Sequence, residues 1–214
     1  MPVGLEIQPL KMYVIFRRKH TVMTQAKDLK LVPGRVYRTR QLSAWGANTA
    51  RLAKRLVAGG ELLPLAHGLF VHPAKSRFGP VPPADSELMR VFLDGEPFVF
   101  TGPDRWNALG LGTSALQAMT LVYNTKRSGS FKLGQRPFQL RRVAFPKDPP
   151  AEWFVVDLFE HADQAATQPE ALVGALSKSL QQGRFDRKKL KEMVETYGTK
   201  RTQAWILPCL ETAA

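Results

Sequence analysis

Apolar residues follow a helical period between residues 48 and 58. At about 100° per residue, the small and apolar side chains share one face, namely Thr49, Ala50, Leu52, Ala53, Leu56 and Val57. The opposite face carries Asn48, Arg51, Lys54, Arg55 and Ala58. Asn48 is a good N-cap, and the two glycines at 59 and 60 end the pattern. This segment is therefore predicted to be an amphipathic helix with one cationic face.

The segments around this helix predict a winged helix-turn-helix. Residues 21–31 have the pattern of a short helix, and Thr39 is a suitable N-cap for a second one through Trp45. Residues 61–65 and 69–72 are predicted to form a hairpin, with His67 in its turn. Three short helices followed by a hairpin is the element order of that motif.

The following region predicts a small sheet with helices on one side. Residues 79–83 are rich in proline and indicate a stiff linker, after which helices are expected at 83–93, 104–109 and 158–166. Strands are expected at 98–100, 119–124, 130–133, 138–145 and 153–156, with the second and third forming a hairpin turned at 126–129. The result is an antiparallel or mixed sheet.

The last fifty residues predict a helical tail. Thr167 and Glu170 have the spacing of a capping box for a helix that ends near Gln182. Asp186 is expected to cap a second helix, which Gly198 ends. A third helix is expected to stop or kink near Pro208.

Together these patterns predict an α+β protein. Residues 1–20 would be a basic N-terminal extension, and residues 21–78 a winged helix-turn-helix DNA-binding domain. Residues 79–214 would be a second domain that combines the sheet with the C-terminal helices. The extension contains the basic cluster Arg17, Arg18 and Lys19, and three interpretations are open: a basic arm, an extra strand, or a leader upstream of a start at Met12 or Met23.

The charge is concentrated in the first part of the chain. The 214 residues include 31 Lys and Arg against 18 Asp and Glu, a formal net charge of +13. Residues 1–80 contain 14 of these bases and only 3 of the acids. A smaller basic stretch at 126–147 contains seven bases and no acid. Such an excess favours a polyanionic partner.

DNA is the polyanion that the predicted motif fits best. A helix enters the major groove, where arginine and asparagine bond to base edges. The expected major-groove residues are Asn48, Arg51, Lys54 and Arg55. Phosphate contacts are expected from Thr39, Arg40 and Gln41, with His67 at the tip of the wing. A protein-docking module, an RNA-binding accessory factor and a solvated basic surface remain alternatives.

The residue pattern does not indicate an enzyme. The one cysteine, Cys209, lies in an apolar helix end and is expected to be buried and inert. The four histidines are scattered, so neither a metal nor a cofactor is expected. Asp157, Glu160 and Asp163 follow a predicted strand and are interpreted as ordinary first-turn helix acids. With no signal peptide or membrane span in the pattern, a cytoplasmic protein is expected.

The order of several short runs resembles the AbiEi-type antitoxins of bacteria. The N-terminal part of the resemblance lies in the runs TRQL (39–42), AKRL (53–56), GEL (60–62) and GLFVHP (68–73). It continues through GP (79–80) with Pro83, TG (101–102), ALGL (108–111) with Thr113, VYNT (122–125) and KLG (132–134). The resemblance covers about residues 35–145, with weaker similarity through the tail.

The resemblance implies a winged-helix repressor that binds inverted repeats in the promoter of its own operon. It also implies an antitoxin of a type IV toxin–antitoxin system, which counters a nucleotidyltransferase-like toxin without forming a stable complex. It implies no catalytic residues.

Overall fold

The computed structural model describes residues 30–114, 116 and 118–211. The predicted extension, with Arg17, Arg18 and Lys19, lies outside these residues. Most of the helix expected at 21–31 also lies outside them. Its last two residues, Lys30 and Leu31, are described and are not helical.

The basic N-terminal part combines two short helices with a three-stranded sheet. Strand β1 (Val36–Arg38) leads into a 3-10 helix (Thr39–Trp45), and helix α1 (Thr49–Ala58) follows. Strands β2 (Leu63–Ala66) and β3 (Leu69–Val71) form the expected hairpin. All pairs are antiparallel in the order β1-β3-β2. The prediction of Thr39 as N-cap is wrong, because Arg38 holds that position.

Helix α1 is confirmed where the hydrophobic pattern predicted it. Its apolar face buries Leu52, Ala53 and Leu56 in a cluster with Tyr37, Leu42 and Leu62. Burying a leucine side chain contributes about 1.5–3 kcal/mol, so this cluster anchors the helix. Asn48 caps the helix as predicted, since its Oδ1 accepts a hydrogen bond from the Arg51 backbone N–H at 3.0 Å.

The proline-rich segment 79–83 was predicted to be a linker, but part of it forms a strand. Residues 79–81 form strand β5 (Gly79–Val81), which pairs antiparallel with β4 (Ala74–Ser76). A two-stranded ribbon tolerates Pro80 because each strand leaves one edge unpaired. Helix α2 (Asp85–Phe92) has Ala84 as its N-cap, so the predicted helix is present but Pro83 precedes it and does not lie in its first turn.

The second region is built on a four-stranded mixed sheet. Its strands are β6 (Phe98–Thr101), β7 (Thr120–Asn124), β8 (Gly129–Leu133) and β9 (Arg136–Arg142). They lie in the order β6-β7-β9-β8, with β7 and β9 parallel. Helix α3 (Pro103–Ala108) follows β6.

The predicted hairpin between β7 and β8 is wrong, because β9 lies between them. Asn124 redirects the chain after β7, since its Oδ1 accepts the backbone N–H groups of Lys126 and Arg127 at 2.9 and 2.8 Å. β8 then pairs with β9 instead.

The strand predicted at 153–156 is also wrong, because these residues lie in helix α4 (Ala151–Glu160). Trp153, Val155, Val156, Leu158 and Phe159 are all buried, so the helix has apolar residues around most of its circumference. When a helix is buried on most sides, its apolar and polar residues do not alternate with a period of 3.6. Its short apolar run then resembles that of a buried strand.

The helical tail is confirmed, with two corrections. A 3-10 helix (Ala162–Ala165) precedes α5 (Pro169–Gln181), α6 (Arg187–Tyr197) and α7 (Lys200–Glu211). Gln168 rather than Thr167 is the N-cap of α5, so the predicted capping box is absent. Helix α7 continues through Pro208, so of the two expected effects of this proline the stop is wrong.

The Asp186 cap of α6 is confirmed. Its Oδ1 accepts the backbone N–H groups of Lys188 and Lys189 at 2.9 and 3.0 Å. These hydrogen bonds hold the pKa of Asp186 below its ordinary value, because they favour the charged carboxylate.

Helices cover both faces of the sheet, so the prediction that they lie on one side is wrong. Leu121 and Tyr123 of β7 face α4 and the C-terminal helices. Val122 faces the opposite way, into a core shared with α2 and with Val36 and Leu69 of the N-terminal sheet. One hydrophobic core therefore crosses residue 78, where the predicted domain boundary lies.

Candidate functional site

Three cations project from the outer face of α1. Arg51, Lys54 and Arg55 are exposed, and no carboxylate within the described part of the chain forms an ion pair with them. Asn48 is exposed at the start of the same helix, but its side-chain oxygen is occupied by the cap. The three cations are thus available to a ligand, and Asn48 has only its amide N–H groups free to donate.

The residues predicted to contact phosphates have different surroundings. Arg40 is 69% exposed, and its Nη2 lies 2.5 Å from Oδ1 of Asp94. The Gln41 side-chain oxygen accepts the Arg38 backbone N–H at 2.7 Å and so caps the 3-10 helix. Thr39 donates its backbone N–H to Gly68 at 3.0 Å, which places it beside the hairpin turn.

One groove brings three of the predicted residues together. Thr39, Lys54 and the exposed His67 line a mostly apolar groove between α1 and the β2–β3 hairpin. Arg51 and Arg55 do not line this groove. The hairpin turn is therefore next to the cationic helix.

Asp94 joins the N-terminal part to the sheet. It forms ion pairs with Arg38 at 2.8 Å, with Arg40 and with Lys126. The Lys126 hydrogen bond and the neighbouring charges hold the pKa of Asp94 below its ordinary value. Arg38 also donates to the carbonyl oxygens of Val91 and Phe92 at the end of α2, at 3.0 and 2.7 Å.

A buried carboxylate forms a second polar site, which the sequence analysis missed. Asp157 in α4 is 4% exposed. Its Oδ2 accepts hydrogen bonds from the hydroxyl of Thr101 and from Nε1 of Trp106 at 2.8 Å. Its Oδ1 accepts the Tyr123 hydroxyl at 2.7 Å. Donors from β6, α3 and β7 thus converge on one helical carboxylate.

His161 lies one helical turn after Asp157. Its Nδ1 is 2.9 Å from the Asp157 carbonyl oxygen and 3.4 Å from Oδ1. The Trp106 indole stacks on the imidazole with ring centres 5.5 Å apart. Burial disfavours the charged ring, but the hydrogen bonds and charge of Asp157 outweigh it and raise the pKa of His161 above its ordinary value. Burial and Asp157 likewise raise the pKa of Tyr123.

A cleft of about 230 Å³ opens beside these residues. Tyr123, Arg141, Trp153, His161 and Tyr197 are among the groups that line it. The cleft lies between the sheet and the C-terminal helices, where β9 approaches the end of α4.

The interpretation of Asp157 and Glu160 as acids in the first turn of a helix after a strand is wrong, because both lie in the second half of α4. Asp163 does lie in the first turn of the 3-10 helix. Asp157 and His161 are four residues apart on an apolar helix, and this spacing was the signal for the site. It was hidden because the segment resembled a strand.

Within residues 30–114, 116 and 118–211, no group of three or more His, Cys, Asp or Glu residues is arranged to hold a metal ion. Cys209 is 3% exposed, which confirms that it is buried. Among the same residues, no helix combines the length and apolar composition needed to cross a membrane.

The fold defines an α+β protein with a mixed sheet and a cationic N-terminal helix. No family model matches the chain, and no curated protein matches it. Among solved structures, the crystal structure of the RV2827C protein from Mycobacterium tuberculosis is similar, with a TM-score of 0.47 and 13% identity. The match covers 84% of this chain and 72% of that chain.

Proposed function

We propose that this protein is a sequence-specific DNA-binding repressor that places α1 in the major groove. The observation that carries the proposal is the exposed face of Arg51, Lys54 and Arg55. In the part of the chain that the structure describes, no carboxylate forms an ion pair with these three side chains. The β2–β3 hairpin beside α1 would serve as the wing, with His67 along the phosphate backbone. A winged helix-turn-helix would then comprise residues 21–78.

The apolar face of α1 packs against the hydrophobic core, and this packing supports the proposed role. Leu52, Ala53 and Leu56 fix the helix, so its cationic side chains project from a rigid element. One recognition helix reads few base pairs, so two copies on an inverted repeat are needed for operator specificity. The proposed ligand is the inverted-repeat operator in the protein's own promoter.

We propose in addition that the repressor is the antitoxin of a type IV system. This step rests on the resemblance of residues 35–145 to the AbiEi-type antitoxins. Its functional partner would be a nucleotidyltransferase-like toxin in the same operon, countered without a stable complex in the cytoplasm. Co-expression with the product of the adjacent gene should relieve growth arrest, and the two proteins should not co-purify.

The DNA-binding proposal is tested by fluorescence anisotropy with the duplex upstream of the gene. A variant combining Arg51→Ala, Lys54→Ala and Arg55→Ala is expected to lose specific binding. The matched control combines Lys188→Ala, Lys189→Ala and Lys191→Ala, which removes the same charge from exposed positions of α6. Equal losses in the two variants would show that only net charge matters, and would overturn the assignment of the face.

A protein-docking role is the second candidate, and the groove between α1 and the hairpin favours it. Ala53, Val57, Pro64 and Phe70 give the groove an apolar lining next to Lys54. Affinity capture with the adjacent gene product separates the two functions. A stable complex that Val57→Glu abolishes would support docking and count against a type IV pair.

A further inference from the structure

The cleft beside His161 is mostly apolar but contains one guanidinium. Rings of Tyr123, Trp153 and Tyr197 line it together with the aliphatic side chains of Val143 and Val156. Arg141 of β9 is half-buried and reaches the same cleft. Apolar pockets that contain a few convergent polar groups are the usual form of small-molecule sites.

Arg141 differs from the arginines that are paired elsewhere in the structure. Arg38, Arg40 and Arg136 each contact an aspartate. Among the described residues, the side-chain acceptor of Arg141 is Nε2 of His161, at 2.8 Å, and no carboxylate pairs with it. A guanidinium has five N–H donors, so most of those on Arg141 have no protein acceptor in the described part of the chain.

The contact with Arg141 favours one tautomer of the neutral imidazole ring. An arginine N–H can only donate, so in the neutral ring Nε2 carries the lone pair and the proton is on Nδ1. That proton is donated to the Asp157 carbonyl oxygen at 2.9 Å. A neutral imidazole is a weak partner for a guanidinium, and an anion would be a stronger one.

We propose that this cleft binds a small molecule that carries an oxyanion, either a phosphate or a carboxylate, on an aromatic or aliphatic body. Arg141 holds the oxyanion, and the rings of Trp153 and Tyr197 contact the body. Glu160 also lines the cleft, but its Oε1 accepts the Thr199 backbone N–H at 2.7 Å at the start of α7. This hydrogen bond offsets part of the negative charge on Glu160.

Anion binding is expected to be coupled to proton uptake by His161. When the oxyanion takes the donors of Arg141, Nε2 loses its N–H neighbour and is free to accept a proton. Asp157 and Tyr123 face the ring from α4 and β7, Arg141 faces it from β9, and Glu160 lies one residue before it in the chain. Of the two carboxylates, Asp157 bonds to His161 and Tyr123, whereas Glu160 accepts the Thr199 backbone N–H; the charge of Asp157 favours the imidazolium.

The experiment titrates the full-length protein with benzoate, with phenyl phosphate and with neutral benzamide, following the Trp153 indole N–H by NMR. The wild-type protein is expected to bind one or both anions and not benzamide. Arg141→Gln should weaken binding at least about tenfold, because a charge-assisted contact is lost. Arg142→Gln removes the same charge from the next, exposed residue of β9 and should change affinity less than about twofold. Comparing the two anions identifies the preferred group.

The variant Arg141→Lys and the pH dependence of binding test the same assignment independently of Arg141→Gln. Arg141→Lys retains the charge and should bind with intermediate affinity, even if Arg141→Gln is poorly folded. Benzoate stays ionised between about pH 6 and pH 8, so tighter binding at the lower pH reports on the protein. His161→Gln should abolish that pH dependence.

The proposal would be overturned if neither anion shifts the Trp153 signal, if benzamide binds as well as benzoate, or if Arg141→Gln and Arg142→Gln lose affinity equally. The variant lacking Arg51, Lys54 and Arg55 should bind the anions like wild type. Failure of DNA binding and failure of this site are therefore separate results.

Discussion

The hydroxyl of Tyr123 in the middle of the sheet donates to Oδ1 of Asp157 in α4 at 2.7 Å. This hydrogen bond joins β7 to the helix that covers it. Because Asp157 is buried, it cannot exchange its partners for water, and each partner depends on it in turn.

Replacing Asp157 should destabilise the fold strongly. Asp157→Ala leaves the donors of Thr101, Trp106 and Tyr123 without their acceptor, and an unsatisfied buried group costs about 1–3 kcal/mol. We expect a loss of about 3–5 kcal/mol for Asp157→Ala and a smaller loss for Asp157→Asn, which keeps one oxygen. Urea unfolding measures both, with the exposed Asp163→Asn as control. A stable Asp157→Ala protein would show that the cluster contributes little.

Arg51 and Lys54 should affect DNA binding differently. If Arg51 bonds to a guanine edge, Arg51→Ala should cost about 1–3 kcal/mol on the operator and relax its specificity. Lys54→Ala should weaken specific and nonspecific duplexes alike and reduce the salt slope by about one unit, as loss of a phosphate contact does. Anisotropy titrations at several salt concentrations distinguish these outcomes, and identical behaviour of the two variants would contradict the division of roles.

Neutralising Asp94 should weaken the connection between the N-terminal part and the sheet. Asp94→Asn retains a residue that tolerates the positive φ of 61° and removes the charge that Arg38, Arg40 and Lys126 share. We expect a loss of about 1 kcal/mol at neutral pH, since the pairs are partly exposed.

The same variant has a defined pH dependence. The pKa of Asp94 is lowered from 3.8, so its contribution is complete above that value and is lost as the pH falls through the lowered pKa. The difference in unfolding free energy between wild type and Asp94→Asn should therefore shrink in acid. The control is Asp148→Asn at an exposed position, and a constant difference from neutral to acid pH would refute the prediction.

His161 should stabilise the protein more at low pH than at high pH. Its pKa is raised above 6.5, so its contribution is complete below that value and is lost as the pH rises through the folded-state pKa. The loss of unfolding free energy caused by His161→Gln should be larger near about pH 6 than near about pH 9. His67→Gln, in the exposed hairpin turn, is the control and should show little dependence on pH.

Features that depend only on residues close together in the chain could be predicted from the amino-acid sequence. The amphipathic period of α1 and the caps at Asn48 and Asp186 involve only contacts within one or two helical turns. The β2–β3 hairpin likewise depends on a short turn between adjacent strands. Such features follow from local periodicity and turn chemistry, so they were predicted correctly.

Tertiary structure alone decided the pairing of the second sheet and the polar site beneath it. β9 lies between β7 and β8 because burial of both faces of β7 selects its partners, and no local pattern encodes that choice. Helix α4 lost its amphipathic signature for the same reason, since it is covered on most sides. Tyr123 and Arg141 become neighbours of Asp157 and His161 only when the sheet packs on that helix, because these contacts join segments far apart in the chain.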